Sequence, residues 1–444
     1  MVVDVVGAIS IAHASRAGGR INATSACCAK GDSPPPVIAI IGTESILASA
    51  MAVTRFVAVI NFATGTSSVG TTRWIVADSA RQETFAAGRT REVEVLAWYP
   101  SAPDAPDALA PYLRNGMEEA LSFARLAKLG DAYNGLASVK THSVLDAAPA
   151  KTPSRFPVIV FSHGYTGLPS SHTALFEDLA SHGWAVLHVV HPYEAASTLS
   201  DGTFVTFTDE KNAMRSGIMD VLNEWGPEGA TMDKVVAASE DAEKERLLRG
   251  YLATLKNTDQ VVKRWVLDVK LALDRMPKSG PGSALSSRLD LSRLGAAGHS
   301  MGGVMAGQFC VEDRRCQAGL NFDGIPQYGT MIDTPMPVPF LMVYSSRPGR
   351  AGASDIIYRR SASKYYRVDV ADTLHIDFSE MNMWGGPLRQ RGAFGKIAPE
   401  RAAELTRLIA REYFGQEILG QKSLLISGDA QPIAGLTIRE LRKP

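Results

Sequence analysis

Gly298-His299-Ser300-Met301-Gly302 has the form G-x-S-x-G, and the run before it, Arg293-Leu294-Gly295-Ala296-Ala297, reads as a short buried strand. A serine so placed sits on a sharp strand-to-helix turn, and the glycines two before and two after let the backbone pass close by. The stretch predicts a nucleophile elbow and, with it, serine hydrolysis. The pentapeptide alone is a weak signal, so its flanks carry the argument. Downstream, Gly302-Gly303-Val304-Met305-Ala306-Gly307-Gln308 opens a helix of small residues that can pack close to a sheet. The positive end of that helix would face the charge that develops at the serine.

Upstream, Val158-Ile159-Val160-Phe161 is a continuous apolar run, as expected of a parallel strand buried on both faces, and it ends in Ser162-His163-Gly164-Tyr165. In hydrolases built around such an elbow, the loop after the third strand supplies one oxyanion-hole N–H and the residue after the nucleophile supplies the other. Those positions are Tyr165 and Met301.

A serine hydroxyl needs a base to take its proton, and in the usual chain order of such sites the histidine comes last. Only His375 follows Ser300; it stands after the strand-like Tyr365-Tyr366-Arg367-Val368-Asp369-Val370, in Thr373-Leu374-His375-Ile376-Asp377-Phe378. The orienting acid often follows the seventh strand, but Pro339-Phe340-Leu341-Met342-Val343-Tyr344 runs into Ser345-Ser346-Arg347-Pro348. The preceding strand, Ala318-Gly319-Leu320-Asn321-Phe322, ends directly in Asp323-Gly324 and makes Asp323 the choice. Asp377 competes. Two residues from His375, it would share a face with the imidazole on an extended segment, yet would reach it only through a bend.

Between His191 and about Arg264 the pattern changes from sheet to polar helix, with a hairpin around Asp201-Gly202-Thr203 and an amphipathic stretch from Asp233 to Leu255. An inserted helical cap over the site fits this pattern, and the helix Thr258 to Met276 returns the chain to the elbow strand. The fold class expected is α/β, an α/β-hydrolase fold: a mostly parallel central sheet flanked by helices, with the cap at about 193–257. The catalytic domain spans 72–420, after an N-terminal extension 1–71 and before a C-terminal tail 421–444.

Lys and Arg number 46 against 46 Asp and Glu, with no long block of one sign, which offers no electrostatic footprint for nucleic acid and no polybasic anchor. No zinc-ligand spacing is visible, and the chemistry requires neither cofactor nor metal. In the extension, Pro34-Pro35-Pro36 marks a break, and the apolar stretch Val37 to Ala63 is interrupted by Glu44 and Arg55. It is compatible with a targeting or membrane segment, and Met51 with a later functional start; we expect the extension to be poorly ordered and not catalytic. Localisation, whether secreted, periplasmic or cytoplasmic, stays open, as does oligomeric state. Cys27 and Cys28 are adjacent, while Cys310 and Cys316 flank a short connection and are expected to be reduced, buried thiols.

Together, Phe161-Ser162-His163-Gly164, the Gly-His-Ser-Met-Gly-Gly elbow, Phe322-Asp323-Gly324 and His375-Ile376-Asp377-Phe378-Ser379 resemble the secreted, calcium-independent platelet-activating factor acetylhydrolases and their bacterial relatives. The resemblance runs from about Thr72 to about Gly420 and includes Arg91-Glu92-Val93-Glu94-Val95-Leu96-Ala97-Trp98-Tyr99-Pro100, similar to the opening "WYP" strand of that family. It implies an acid after the sixth strand, in agreement with Asp323. It also implies release of short acyl groups from phospholipid-like esters, with transient contact at a lipid surface. Met301 departs from the aromatic that the family usually carries after the serine, a change expected at the pocket wall. Phe378, Met381, Met383 and Trp384 are further candidates to line an apolar pocket. Alternatives are a dienelactone- or polyester-type hydrolase and, in another class, a ligand-binding protein that keeps the hydrolase shell without turnover.

Overall fold

Strand β5 (Phe156–Ser162) is buried along its whole length, and the apolar run seen in the sequence is the reason: it lies inside a sheet covered on both faces. The computed structural model describes residues 63–103, 108–384, 386–427 and 432–441. In chain order the strands are β1 (Val69–Gln82), β2 (Thr90–Pro100), β3 (Leu109–Pro111), β4 (Lys140–Leu145), β5, β6 (Ala185–Val190), β7 (Ser197–Thr198), β8 (Phe204–Val205), β9 (Leu289–His299), β10 (Cys316–Phe322), β11 (Phe340–Tyr344), β12 (Tyr365–Val370) and β13 (Leu436–Leu441). Eleven of them form one sheet in the order β13-β12-β11-β10-β9-β5-β6-β2-β1-β4-β3, and β7 and β8 form the small hairpin expected around Gly202.

The run β12-β11-β10-β9-β5-β6 is parallel throughout, while β2 and β13 enter antiparallel on its two sides. This is the mostly parallel sheet of an α/β-hydrolase fold. Parallel neighbours need crossovers, and these cover both faces: Lys256–Asp274 and Met301–Glu312 pack into one hydrophobic cluster with β5 and β9, whereas Thr173–Ser181 and Pro399–Leu419 pack into the other. No helix among the described residues is long and apolar enough to cross a membrane.

The cap departs from the single amphipathic stretch read in the sequence. It is built from Ser216–Glu224, Glu228–Ala237 and Asp241–Leu252, the last two separated by a break at 238–240. Its inward residues Met232, Val235 and Leu248 are almost completely buried.

The stretch 421–444, set apart as a tail in the sequence reading, contributes β13, whose Leu436 and Ile438 pack on the same cluster as Val368 and Val370 of β12. A six-residue strand separated from the rest by a polar stretch gives little period-two signal of its own; pairing with β12 makes it a strand. At the other end, residues from Thr64 onward already dock on the domain, Thr64 through Asp178 Oδ1 (3.1 Å) and Ser67 through Ser181 O (3.1 Å). The readings made for Cys27, Cys28, Met51 and the apolar stretch up to residue 62 lie outside the described residues.

Cys310 and Cys316 form a disulfide, which corrects the expectation of reduced thiols. The elbow helix ends at Glu312, the chain turns at once with Cys316 N–H donating to Asp313 O at 3.1 Å, and the two Cα atoms stand 5.1 Å apart, within bridging range. Closing so short a loop should stabilise the fold by about 2 kcal/mol. Replacing both cysteines by alanine is therefore expected to lower the denaturation midpoint by a corresponding amount under oxidising conditions. An unchanged midpoint would show that the bridge contributes nothing.

Candidate active site

Ser300 lies between β9 and the helix Met301–Glu312 with φ 57° and ψ −125°, a conformation that costs a non-glycine residue about 1–3 kcal/mol. The flanking glycines make the turn possible. A Cβ on Gly298 would stand 2.2 Å from the Gly302 carbonyl carbon, and one on Gly302 would stand 2.0 Å from Ser162 O. Ser300 N–H donates to Phe322 O at 2.8 Å, which ties the elbow to the end of β10, where Asp323 begins.

Asp323 is completely buried, and His375 Nδ1–H donates to its Oδ2 at 2.8 Å. Ser345 adds its N–H to Oδ1 and its hydroxyl to Oδ2, both at 2.9 Å, and the Arg347 guanidinium stands 2.9 Å from Oδ2. Burial pushes the carboxyl upward, but Arg347, His375 and the Ser345 N–H more than offset it and hold Asp323 well below the usual carboxylate range. Asp377, the competing acid, takes another part: its Oδ2 accepts the N–H groups of Leu374 (2.8 Å) and Gly395 (2.7 Å) and so shapes the turn that carries His375.

Ser300, Met301, Asp323 and His375 line one cavity, closed by Trp225 and Glu228 from the cap, Val304 from the elbow helix, Gly324, Ile325 and Tyr328 after β10, and Arg347 after β11. Its volume is about 60 Å³. Such a space beside Ser300 takes a few heavy atoms.

On the far side of Ser300 the turn after β5 passes so close that a Cβ on Gly164 would stand 3.2 Å from Ser300 Cβ. Gly164 O accepts from His163 Nδ1–H (2.7 Å) and from Gly167 N–H (2.9 Å), while His163 Nε2 accepts His191 N–H at 3.1 Å. Because the two ends of a trans peptide point in opposite directions, anchoring this carbonyl turns the Tyr165 N–H away from it. Beneath the turn, Ser162 Oγ meets His191 Nε2 at 3.0 Å and His191 Nδ1 meets Asp268 Oδ2 at 2.9 Å. This arrangement imitates a catalytic triad, but all three side chains are completely buried and beyond the reach of substrate. Arg91, also buried, completes it by pairing with Asp268 and Glu83.

Three features were not anticipated. His299, the variable residue of the elbow motif, packs against His375 at 4.7 Å between centroids with the ring planes tilted by 35°, and donates Nε2–H to His375 O at 2.9 Å. Burial, with His375 and His172 nearby, holds its imidazole well below the usual histidine range, and a neutral ring with its proton on Nε2 fits that bond. Arg347 is the second, and Trp225 stacked parallel on Tyr328 is the third. The apolar residues beyond His375 do not line the cavity: Phe378 packs on Phe322, Met381 is in the core, and Trp384 lies edge-on to Tyr133 and Tyr112. The turn at residues 375–378 carries them away from Ser300 into the protein.

An α/β-hydrolase sheet bearing a serine elbow, with an Asp-oriented histidine on the same cavity, defines a serine carboxylic-ester hydrolase. Residues 63–381 match the family described as "Platelet-activating factor acetylhydrolase, isoform II", and the chain belongs to that family. It is 25% identical over 363 residues to the platelet-activating factor acetylhydrolase of Cavia porcellus, covering 75% of each chain. It is 26% identical over 205 residues to that of Canis lupus familiaris, covering 45% of this chain and 42% of that one. Among solved structures, a ferulic acid esterase from Streptomyces cinnamoneus is similar, with TM-score 0.62 and 26% identity, covering 85% of this chain and 98% of that one.

Proposed function

We propose that this hydrolase releases short acyl groups, of the acetyl-phospholipid type, with Ser300 as nucleophile, His375 as base, Asp323 as its orienting acid, and the N–H groups of Tyr165 and Met301 as the oxyanion hole. The observation that carries the reading is the small cavity beside Ser300, walled by Trp225, Val304, Ile325 and Tyr328. His375 takes the Ser300 proton as Oγ attacks the ester carbonyl, and the two N–H groups meet the oxyanion that forms. The protonated imidazole, steadied by Asp323, then gives its proton to the leaving alcohol, and water activated by the same histidine frees the acid. The wide alcohol portion stays outside the cavity, at the lipid surface when the ester is a phospholipid.

A series of nitrophenyl and phospholipid esters from acetyl to palmitoyl tests the proposal. The specificity constant is expected to be highest for the shortest chains; a maximum at long chains, or on lactones and polyesters, would overturn it. Trp225 is held in place, with Nε1–H on Thr258 Oγ1 at 3.0 Å and its ring between Tyr165 and Tyr328. Trp225→Leu should enlarge the cavity and raise the octanoyl-to-acetyl ratio of kcat/KM by at least about 10-fold, the scale of one or two extra methylenes accommodated. An unchanged ratio in a folded variant would remove Trp225 from the acyl wall.

A further inference from the structure

We propose that Arg347 is a positioning residue that extends catalysis to lower pH by sharing the Asp323 carboxylate with His375. The inference rests on the roles proposed above for Ser300, Asp323 and His375. The same oxygen, Oδ2, receives His375 Nδ1 at 2.8 Å and the Arg347 guanidinium at 2.9 Å, on a side chain with no solvent exposure. Arg347 is fixed there by further bonds to Asp323 O (3.4 Å) and, through Nε, to Ser345 Oγ (3.3 Å), and it lines the cavity as well.

A carboxylate whose charge answers only to an imidazole favours the imidazolium strongly and keeps the base protonated up to higher pH. A guanidinium on the same oxygen never loses its proton, so it cancels part of that field at every working pH. The carboxylate still orients the ring through its hydrogen bond, but holds the proton on the ring less tightly. His375 then remains a free base further into the acid range.

The other charged or titratable groups around His375 do not serve in this way. His299 is buried and neutral; Glu228, from the cap, faces the cavity with its carboxylate on Arg350 at 3.1 Å; Asp377, on the turn of His375 itself, is occupied by two backbone N–H groups. Among the residues that line the cavity, Arg347 is the cation in contact with Asp323.

The test is the pH dependence of kcat/KM on an acetyl ester for the wild type, Arg347→Gln and Arg347→Lys, with thermal melting as the check on folding. Glutamine keeps a hydrogen bond to Asp323 without the charge, and its acid limb is expected to move up by about 1 pH unit. Lysine keeps the charge and should stay near the wild type. An unmoved limb in Arg347→Gln, a downward shift, or equal shifts in both variants would overturn the proposal. Should Arg347→Gln not fold, Arg347→Met carries the same expectation. Fluorophosphonate labelling of the wild type separates the two levels: a labelled Ser300 with an unmoved limb sinks the role of Arg347 alone, whereas an unlabelled Ser300 sinks the underlying mechanism.

Discussion

Ser300→Ala should lower kcat on a nitrophenyl acetate by about 10⁶-fold while leaving the melting temperature close to that of the wild type. Both parts follow from the elbow. The Cβ is retained, so the turn at φ 57° and the tight approach of Gly298, Gly302 and Gly164 are undisturbed, and only Oγ is lost. Without it the proposed acyl-enzyme cannot form, and the expected remainder is the help of the proposed Tyr165 and Met301 N–H groups to direct attack by water, about 10³-fold over the uncatalysed reaction in comparable sites. A variant within tenfold of the wild type would mean that another group attacks the ester.

Asp323→Asn is expected to cost about 10⁴-fold in kcat with KM little changed. Ser345 donates to both Asp323 oxygens, and Arg347 and His375 donate to Oδ2, so four donors converge on this carboxylate. An amide supplies one acceptor oxygen and one NH₂ group. If the oxygen keeps Ser345, the NH₂ faces the imidazole and calls for a lone pair on Nδ1, which leaves the proton on Nε2, the atom proposed to accept it from Ser300. Because Asp323 lies well below the usual carboxylate range, it remains ionised wherever His375 is neutral, and the acid limb of the wild-type profile reports the histidine. Steady-state kinetics with a melting curve check this; a loss smaller than tenfold would place the orienting role elsewhere.

The parts of the site legible in the sequence are those set by local chemistry. Ser300 stood out because only glycine fits at 298 and 302, and His375 because the chain order left one histidine. Asp323 stood out because its strand ends on it. The central strands were readable for a similar reason, since β5 and β11 are nearly continuous apolar runs, and β6 is apolar apart from His188, all buried on both faces. The part of the sheet beyond β2 was less so. β1 carries Arg73, Asp78 and Arg81 among its apolar residues and becomes a strand by pairing with β2 in register from Val69 opposite Pro100. Met301 apart, the cavity walls were hidden, because Trp225, Tyr328 and Arg347 come from three separate segments and meet only in the folded chain. Arg347 carries no signal of its own in the sequence, because the loop after β11 holds no acid but the partner of an acid that lies one strand away.

The central claim, that Ser300 is the atom donor on which the acyl group is carried, is tested most directly by treating the folded protein with a fluorophosphonate and mapping the modified peptide by mass spectrometry. The account predicts one label, on Ser300, prevented by prior saturation with a short-chain ester. A protein that turns over acetyl esters while its label falls elsewhere, or is absent, would contradict it.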